Sequence, residues 1–214
     1  MTSHRLLRTL TVTVAVAAGY GLARQHSLRW GARQDEVART LPGDQRLPHA
    51  DLVATRAVTI AARAEEVWPW LAQLGRGRGG FYTYDGLENL VGLGIHSADA
   101  VVPEWQDLAV GDRVHLAAEV GLDVVQADAG QALVLEGSAG AGEAEEGMPF
   151  DFVWAFVLRP GPSDGSTRLV VRERYAFHQS WARPMVEVVE WVSLLMTTGM
   201  LRGIRDRAEG AARR

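Results

Sequence analysis

The stretch from Thr167 to Arg207 constrains this chain more than any other. It reads as one strand with strict alternation, followed by a single unbroken helical pattern. In Thr167–Phe177 the alternation places Leu169, Val171, Glu173, Tyr175 and Phe177 on one face and Arg168, Val170, Arg172 and Arg174 on the other. The apolar face must be the inner one, so Glu173 is directed inward. The helical pattern opens at Pro184 and runs to about Arg207, with Met185, Val188, Val189, Val192, Leu195, Met196, Met200 and Ile204 at helical spacing. At 1.5 Å per residue such a helix is about 36 Å long, enough to cross a small sheet from edge to edge. Glu187 and Glu190 interrupt its apolar run, which excludes a membrane span there.

Upstream, short strand patterns alternate with turn chemistry. Leu52–Ile60 is β-rich and ends before Ala64-Glu65-Glu66, where acidic residues suit the start of a helix carrying Val67, Trp68, Trp70, Leu71 and Leu74 and stopped by Gly75. Pro69 is expected in the first turn of that helix. Two short helical stretches are predicted over Tyr84–Leu93 and Ile95–Val101. Strands follow at Asp112–Ala117, Leu122–Gln126, Gln131–Glu136 and, after a Gly-, Ala- and Glu-rich loop from Gly137 to Pro149, at Phe150–Leu158. The order of strand, helices, antiparallel strands and one long terminal helix is an α+β layout, a curved sheet wrapped around a C-terminal helix. One space in such a fold, between that helix, the short helical pair and the concave face of the sheet, can stay open.

Composition removes several classes of chemistry. Of 214 residues, 22 are basic and 26 acidic, a net charge of −4 that argues against a general nucleic-acid binder. No cysteine is present, so disulfides, thiolate metal sites and a cysteine nucleophile are excluded. Every basic residue is arginine, and without lysine neither a Schiff base nor a P-loop lysine is available. No metal site and no cofactor are expected. His96 has no second histidine at ligand spacing, and His115 lies on a strand.

The N-terminus carries an uncharged, Val- and Ala-rich run from Thr9 to Ala23 between arginine pairs. As a helix it spans about 22 Å, short of the roughly 30 Å hydrocarbon core, but counting residues 6–23 and letting the arginines snorkel makes a single membrane span feasible. Arginines at 24, 29, 33 and 39 then favour the large domain on the cytoplasmic side. Secretion after signal cleavage at Ala15-Val16-Ala17 and packing of this helix on the domain are the alternatives. The chain thus divides into an N-terminal hydrophobic segment (1–28), a linker (29–50), the main domain (51–208) and a tail (209–214).

From Arg29-Trp30-Gly31-Ala32 onward the sequence resembles actinobacterial members of the SRPBCC superfamily, the START-like, helix-grip group of polyketide cyclases/dehydrases and lipid carriers. The likeness rests on Val67-Trp68-Pro69-Trp70-Leu71, Gly77-Arg78-Gly79-Gly80-Phe81-Tyr82, Leu87-Glu88-Asn89-Leu90, Pro103-Glu104-Trp105-Gln106, Trp154-Ala155-Phe156-Val157-Leu158 and Arg172-Glu173-Arg174-Tyr175. It implies a deep hydrophobic cavity under the last helix and names no reaction, because that fold hosts carriers and enzymes alike. Where such proteins place Asp-Ala-Pro before the first helix, Ala61-Ala62-Arg63-Ala64 stands here, implying a looser turn.

The candidate site draws on four regions. Tyr82, Tyr84, Asp85, Glu88, His96 and Trp105 crowd the segment from Tyr82 to Gln106. Trp154 and Phe156 come from a strand apolar on both faces, Glu173 and Tyr175 from the last strand, and Val192, Met196 and Met200 from the terminal helix. Together these are the expected ligand-binding residues. Glu173 is expected to meet a polar group of the 82–106 segment, with His96, Tyr84 or an arginine as the candidates, as a buried tie, a ligand anchor or, with His96 or Asp85, a proton-transfer group. Gly75-Arg76-Gly77-Arg78-Gly79-Gly80 follows a helix and not a strand, which removes a dinucleotide reading and leaves Arg76 and Arg78 as candidates for an anionic head group. The expected function is to bind, sequester or present a small hydrophobic, lipid- or polyketide-like molecule in a membrane-tethered domain. A cyclase/dehydrase acting in the same cavity and a partner-binding module with a filled core are the alternatives.

Overall fold

The computed structural model describes residues 18–84, 86, 89, 94–137, 150–178 and 182–213; the side chains at 182, 183, 185, 188 and 189 lie outside the description. Residues 18–28 are helical (α1), Gln34–Ala38 form a short helix (α2) and Ala64–Ala72 a third (α3). The strands are β1 (Leu52–Ile60), β2 (Arg113–His115), β3 (Gly121–Asp128), β4 (Ala132–Gly137), β5 (Phe150–Pro160) and β6 (Thr167–Phe177), and Ala182–Ala212 form α4. All strand pairs are antiparallel, in the order β1-β6-β5-β4-β3-β2. The chain has an α+β, helix-grip architecture, a sheet curved about its long last helix.

The inner face of the sheet carries the main core. Leu133, Leu135, Phe156, Leu169 and Val171 pack there with Val67, Trp70 and Leu71 of α3, with Leu74 just beyond it, and with Leu201, Ile204 and Ala208 of α4. Gly203 lets α4 approach closely, since a Cβ there would lie 2.0 Å from the carbonyl oxygen of Tyr82.

The outer face is also buried, which accounts for the two-sided hydrophobicity of β5. Val153, Ala155 and Val157 meet Leu41 and Leu47 of the segment that runs from α1 to β1. Three arginines of β6 fasten that segment. Arg168 grips Glu36 through two bonds of 2.7 and 2.9 Å, Arg172 reaches Asp44 at 2.7 Å and the carbonyls of Glu36, Val37 and Arg39, and Arg174 donates to the carbonyls of Leu47 and Pro48. Charge-assisted bonds of this kind offset part of the desolvation of the buried guanidinium groups.

Three expectations are corrected. Pro69 sits deep in α3 and not in its first turn; its missing N–H leaves only the carbonyl of exposed Glu65 to solvent, and the helix ends three residues later. Residues 95–101 are not helical, because other groups satisfy their backbone: Ala98 N–H donates to Gly79, and the Gln73 amide accepts from Val102 N–H and donates to Ala100. The turn before α3 is held firmly, with the Arg63 N–H donating to Glu66 at 2.7 Å, the Ala61 N–H to Glu209 and the Thr167 hydroxyl to the Ala62 carbonyl. Among the described residues no helix is long and apolar enough to cross a membrane. Residues 6–17 of that stretch lie outside the described residues. Helix α1 lies along α4: Arg24 pairs with Glu187, the Ser27 hydroxyl donates to Glu190 at 2.7 Å, and the Tyr20 and Trp191 rings are 6.5 Å apart.

Candidate functional site

Between the inner face of the sheet and α4 lies a cavity of about 280 Å³. Strand alternation supplies one wall: Phe150, Phe152 and Trp154 on β5, and Glu173 and Tyr175 on β6, project to the same side. Helical spacing supplies the other, with Ser193, Met196, Thr197 and Met200 at i, i+3, i+4 and i+7 along α4. Phe81, Thr83, Ile95 and Leu116 complete the lining. Ile95 is set in place by Asn89, whose side-chain amide donates to its carbonyl at 2.9 Å and accepts from its N–H at 2.8 Å. The aromatic wall is continuous, the rings of Phe152 and Tyr175 being 4.7 Å apart and those of Trp154 and Phe152 6.2 Å apart.

The polar end is built around Glu173, only 3% exposed. Its Oε1 accepts from Arg56 at 3.2 Å and from the Thr197 hydroxyl at 2.7 Å, and its Oε2 from the Tyr175 hydroxyl at 3.0 Å and the Ser193 hydroxyl at 2.6 Å. A carboxylate offers about four lone-pair sites, and all are engaged. Arg56, 1% exposed on β1, also donates to Glu190 at 2.9 Å and to the Ser27 carbonyl at 3.0 Å, which ties the sheet, α1 and α4 into one network. Burial pushes the Tyr175 hydroxyl pKa well above its ordinary value, and the neighbouring Glu173 charge adds to this, so it remains a donor at neutral pH.

Of the residues expected from the sequence, Trp154, Glu173, Tyr175, Met196 and Met200 line this cavity together. The others lie elsewhere. Tyr82 is buried in the core, edge-on to Trp70, with its hydroxyl donating to the Trp70 carbonyl and Arg207 stacked on its ring. Phe156 is buried behind Trp154; Tyr84, His96 and Val192 are exposed; Trp105 is half-buried and gives its carbonyl to Arg78. Asp85 and Glu88 lie outside the described residues. The partner of Glu173 is an arginine, but from β1 and not from the 82–106 region: Arg56 faces inward because its register partner Val171 does. Arg78 donates to the carbonyls of Ala72 and Trp105, so in the glycine-rich turn it serves as a strut. Phe81, Thr83, Ile95, Leu116, Phe150, Phe152, Ser193 and Thr197 escaped the sequence reading. The signal for the last two was there, as Ser193 and Thr197 share the stripe of Met196 and Met200 whereas Val192 is a residue off it.

Another concavity, about 620 Å³, runs between α1 and the outer face of the sheet; its Arg24 is paired with Glu187, and its Arg172 and Arg174 with Asp44. Among the described residues no group of three His, Asp or Glu side chains is placed to hold a metal ion.

No protein-family profile matches the chain, and no curated protein matches it. Solved structures with related folds include a protein from Nitrosospira multiformis, 14% identical over 76% of this chain and 100% of its own, with a TM-score of 0.46. CalU16 from Micromonospora echinospora is 16% identical over 75% of this chain and 86% of its own, with a TM-score of 0.36. DynU16, a putative protein in the dynemicin biosynthetic locus, is 15% identical over 71% of this chain and 46% of its own, with a TM-score of 0.40.

Proposed function

We propose that this chain binds a small, largely apolar molecule in the space between its sheet and its last helix. The observation that carries the reading is the cavity itself, walled by Phe81, Phe152, Trp154, Met196 and Met200, with one buried polar group at its end. Leaving such a wall in contact with water costs free energy that a guest recovers, at about 25 cal/mol for each Å² of apolar surface covered. The methionines add shape tolerance.

Proton transfer by Glu173 draws no support from this geometry. A general base needs a lone pair directed at the reacting proton, and both carboxylate oxygens of Glu173 are already engaged. His96 is exposed and outside the lining, so the pair does not form a catalytic unit. Binding, sequestration or presentation is therefore the preferred reading over a cyclase or dehydrase. Residues 6–23 remain the segment that would carry the domain to a membrane, and fractionation with and without them tests that separately.

Mass spectrometry of the protein isolated without detergent from its own host is the direct test. The expected result is a small apolar compound released on denaturation from the wild type and absent from Met196→Trp, whose indole occupies the cavity. Wild type and variant releasing nothing, or releasing the same compounds, would overturn the reading.

A further inference from the structure

The four lone-pair sites of Glu173 have a consequence for the guest. A carboxylate only accepts hydrogen bonds, so each hydroxyl within reach of it, those of Tyr175, Ser193 and Thr197, must donate its single proton to it. What these hydroxyls then turn toward the cavity is oxygen lone pairs alone. Ser193 accepts from Arg56 at 3.2 Å with one of its two lone pairs, which leaves Tyr175 and Thr197 as the less engaged acceptors. The cation that would otherwise serve a negative guest is consumed: Arg56 is buried against Glu173, Glu190 and the Ser27 carbonyl. One guanidinium and two carboxylates carry a formal charge of 1 − 2 = −1 behind the polar end. The lining also holds the Thr83 hydroxyl and the indole N–H of Trp154, the latter without accessible surface and without a hydrogen-bond partner.

We infer that the Glu173 end of the cavity selects guests whose polar group is a hydrogen-bond donor, an alcohol or a protonated amine on an apolar body, and disfavours carboxylates and groups that can only accept. The inference rests on the ligand-binding reading of the same cavity and adds the chemical class of the guest. An acceptor-only head would face lone pairs with no proton between, and a carboxylate would add repulsion from the buried negative charge.

Three probes of equal chain length separate these possibilities: decanol, decyl methyl ether and decanoic acid, titrated into the full chain at neutral pH by calorimetry. Decanol is expected to bind about tenfold more tightly than the ether, the factor one net hydrogen bond provides, and the acid to bind more weakly than either. Thr197→Val, which removes one acceptor while keeping the side-chain shape, is expected to weaken decanol several-fold and leave the ether unchanged. In Glu173→Gln the new amide donates in its turn, a hydroxyl proton is freed toward the cavity, and the preference for decanol over the ether shrinks. Equal affinity of the three probes, or a Thr197→Val effect shared by alcohol and ether, would overturn the inference and leave the ligand-binding reading standing. Binding of none of them, with an unchanged result in Met196→Trp, would overturn both.

Discussion

A single inward-facing arginine, Arg56, holds two buried carboxylates, and the energetics of that arrangement are asymmetric. Taking the guanidinium away leaves Glu173 and Glu190 in a low-dielectric setting without their shared cation, whereas removing all three charges removes the desolvation cost as well. Arg56→Met is accordingly expected to cost about 3–5 kcal/mol in urea unfolding, and a triple variant with Glu173→Met and Glu190→Leu to regain most of it. A loss under 1 kcal/mol for the single variant would show that the network contributes little. Gly203 and Gly210 give a second residue-scale contrast. A methyl at Gly203 collides with the Tyr82 carbonyl, so Gly203→Ala is expected to destabilise by about 1–3 kcal/mol, while Gly210 has nothing within 4 Å and Gly210→Ala is expected to be neutral or to stabilise by up to about 1 kcal/mol. Thermal unfolding of the two variants checks the opposite signs. At this scale the alternation of Thr167–Phe177 reveals the inward Glu173, but not its partner. Arg56 lies in a strand whose β-rich texture hides one charged residue on the buried side, and only the pairing of Arg56 with Val171 fixes its direction.

Among the elements, the segment joining α1 to β1 departs furthest from what its sequence suggests. Residues 29–50 read as a linker, yet they cover the outer face of the sheet. Their order comes from arginines more than a hundred residues downstream, a long-range cause that no local pattern carries. Strands were legible because a one-residue slip would reverse every side chain; β1 and β6 match their expected bounds. Residues 95–101 were misread as helical because side-chain amides from Gln73 and Asn89 replace the helical bonds. The clamp also predicts a pH response. Burial raises the pKa of Glu36, but its bonds from Arg168 and from the Arg33 N–H outweigh this and hold it below the ordinary 4.5. A carboxylate with a lowered folded pKa adds stability that is complete above its unfolded value and is lost as the pH falls below about 4.5 toward the folded one. Wild type is therefore expected to lose stability as the pH falls below about 4.5, and Glu36→Gln to start lower and lose less. Equal slopes for the two would contradict the assignment.

At the scale of the whole molecule, three layers are clamped together, with an apolar space left unfilled between the sheet and α4. The connecting segment covers the sheet from outside, α3 and the lower part of α4 close the core, and α1 braces the upper part of α4 beside the polar end of the cavity. The architecture and the position of the space were readable from the order of elements and from the family resemblance. Several lining residues were not, because a ranking by hydrophobicity favours Val192 over Ser193 and Thr197. The account stands or falls on whether that space admits a guest. Crystals of the protein held under xenon pressure measure this directly, since an apolar cavity takes up xenon without any polar recognition. The account predicts a xenon site among Phe152, Trp154, Met196 and Met200; side chains packed across that position with no bound xenon would contradict it.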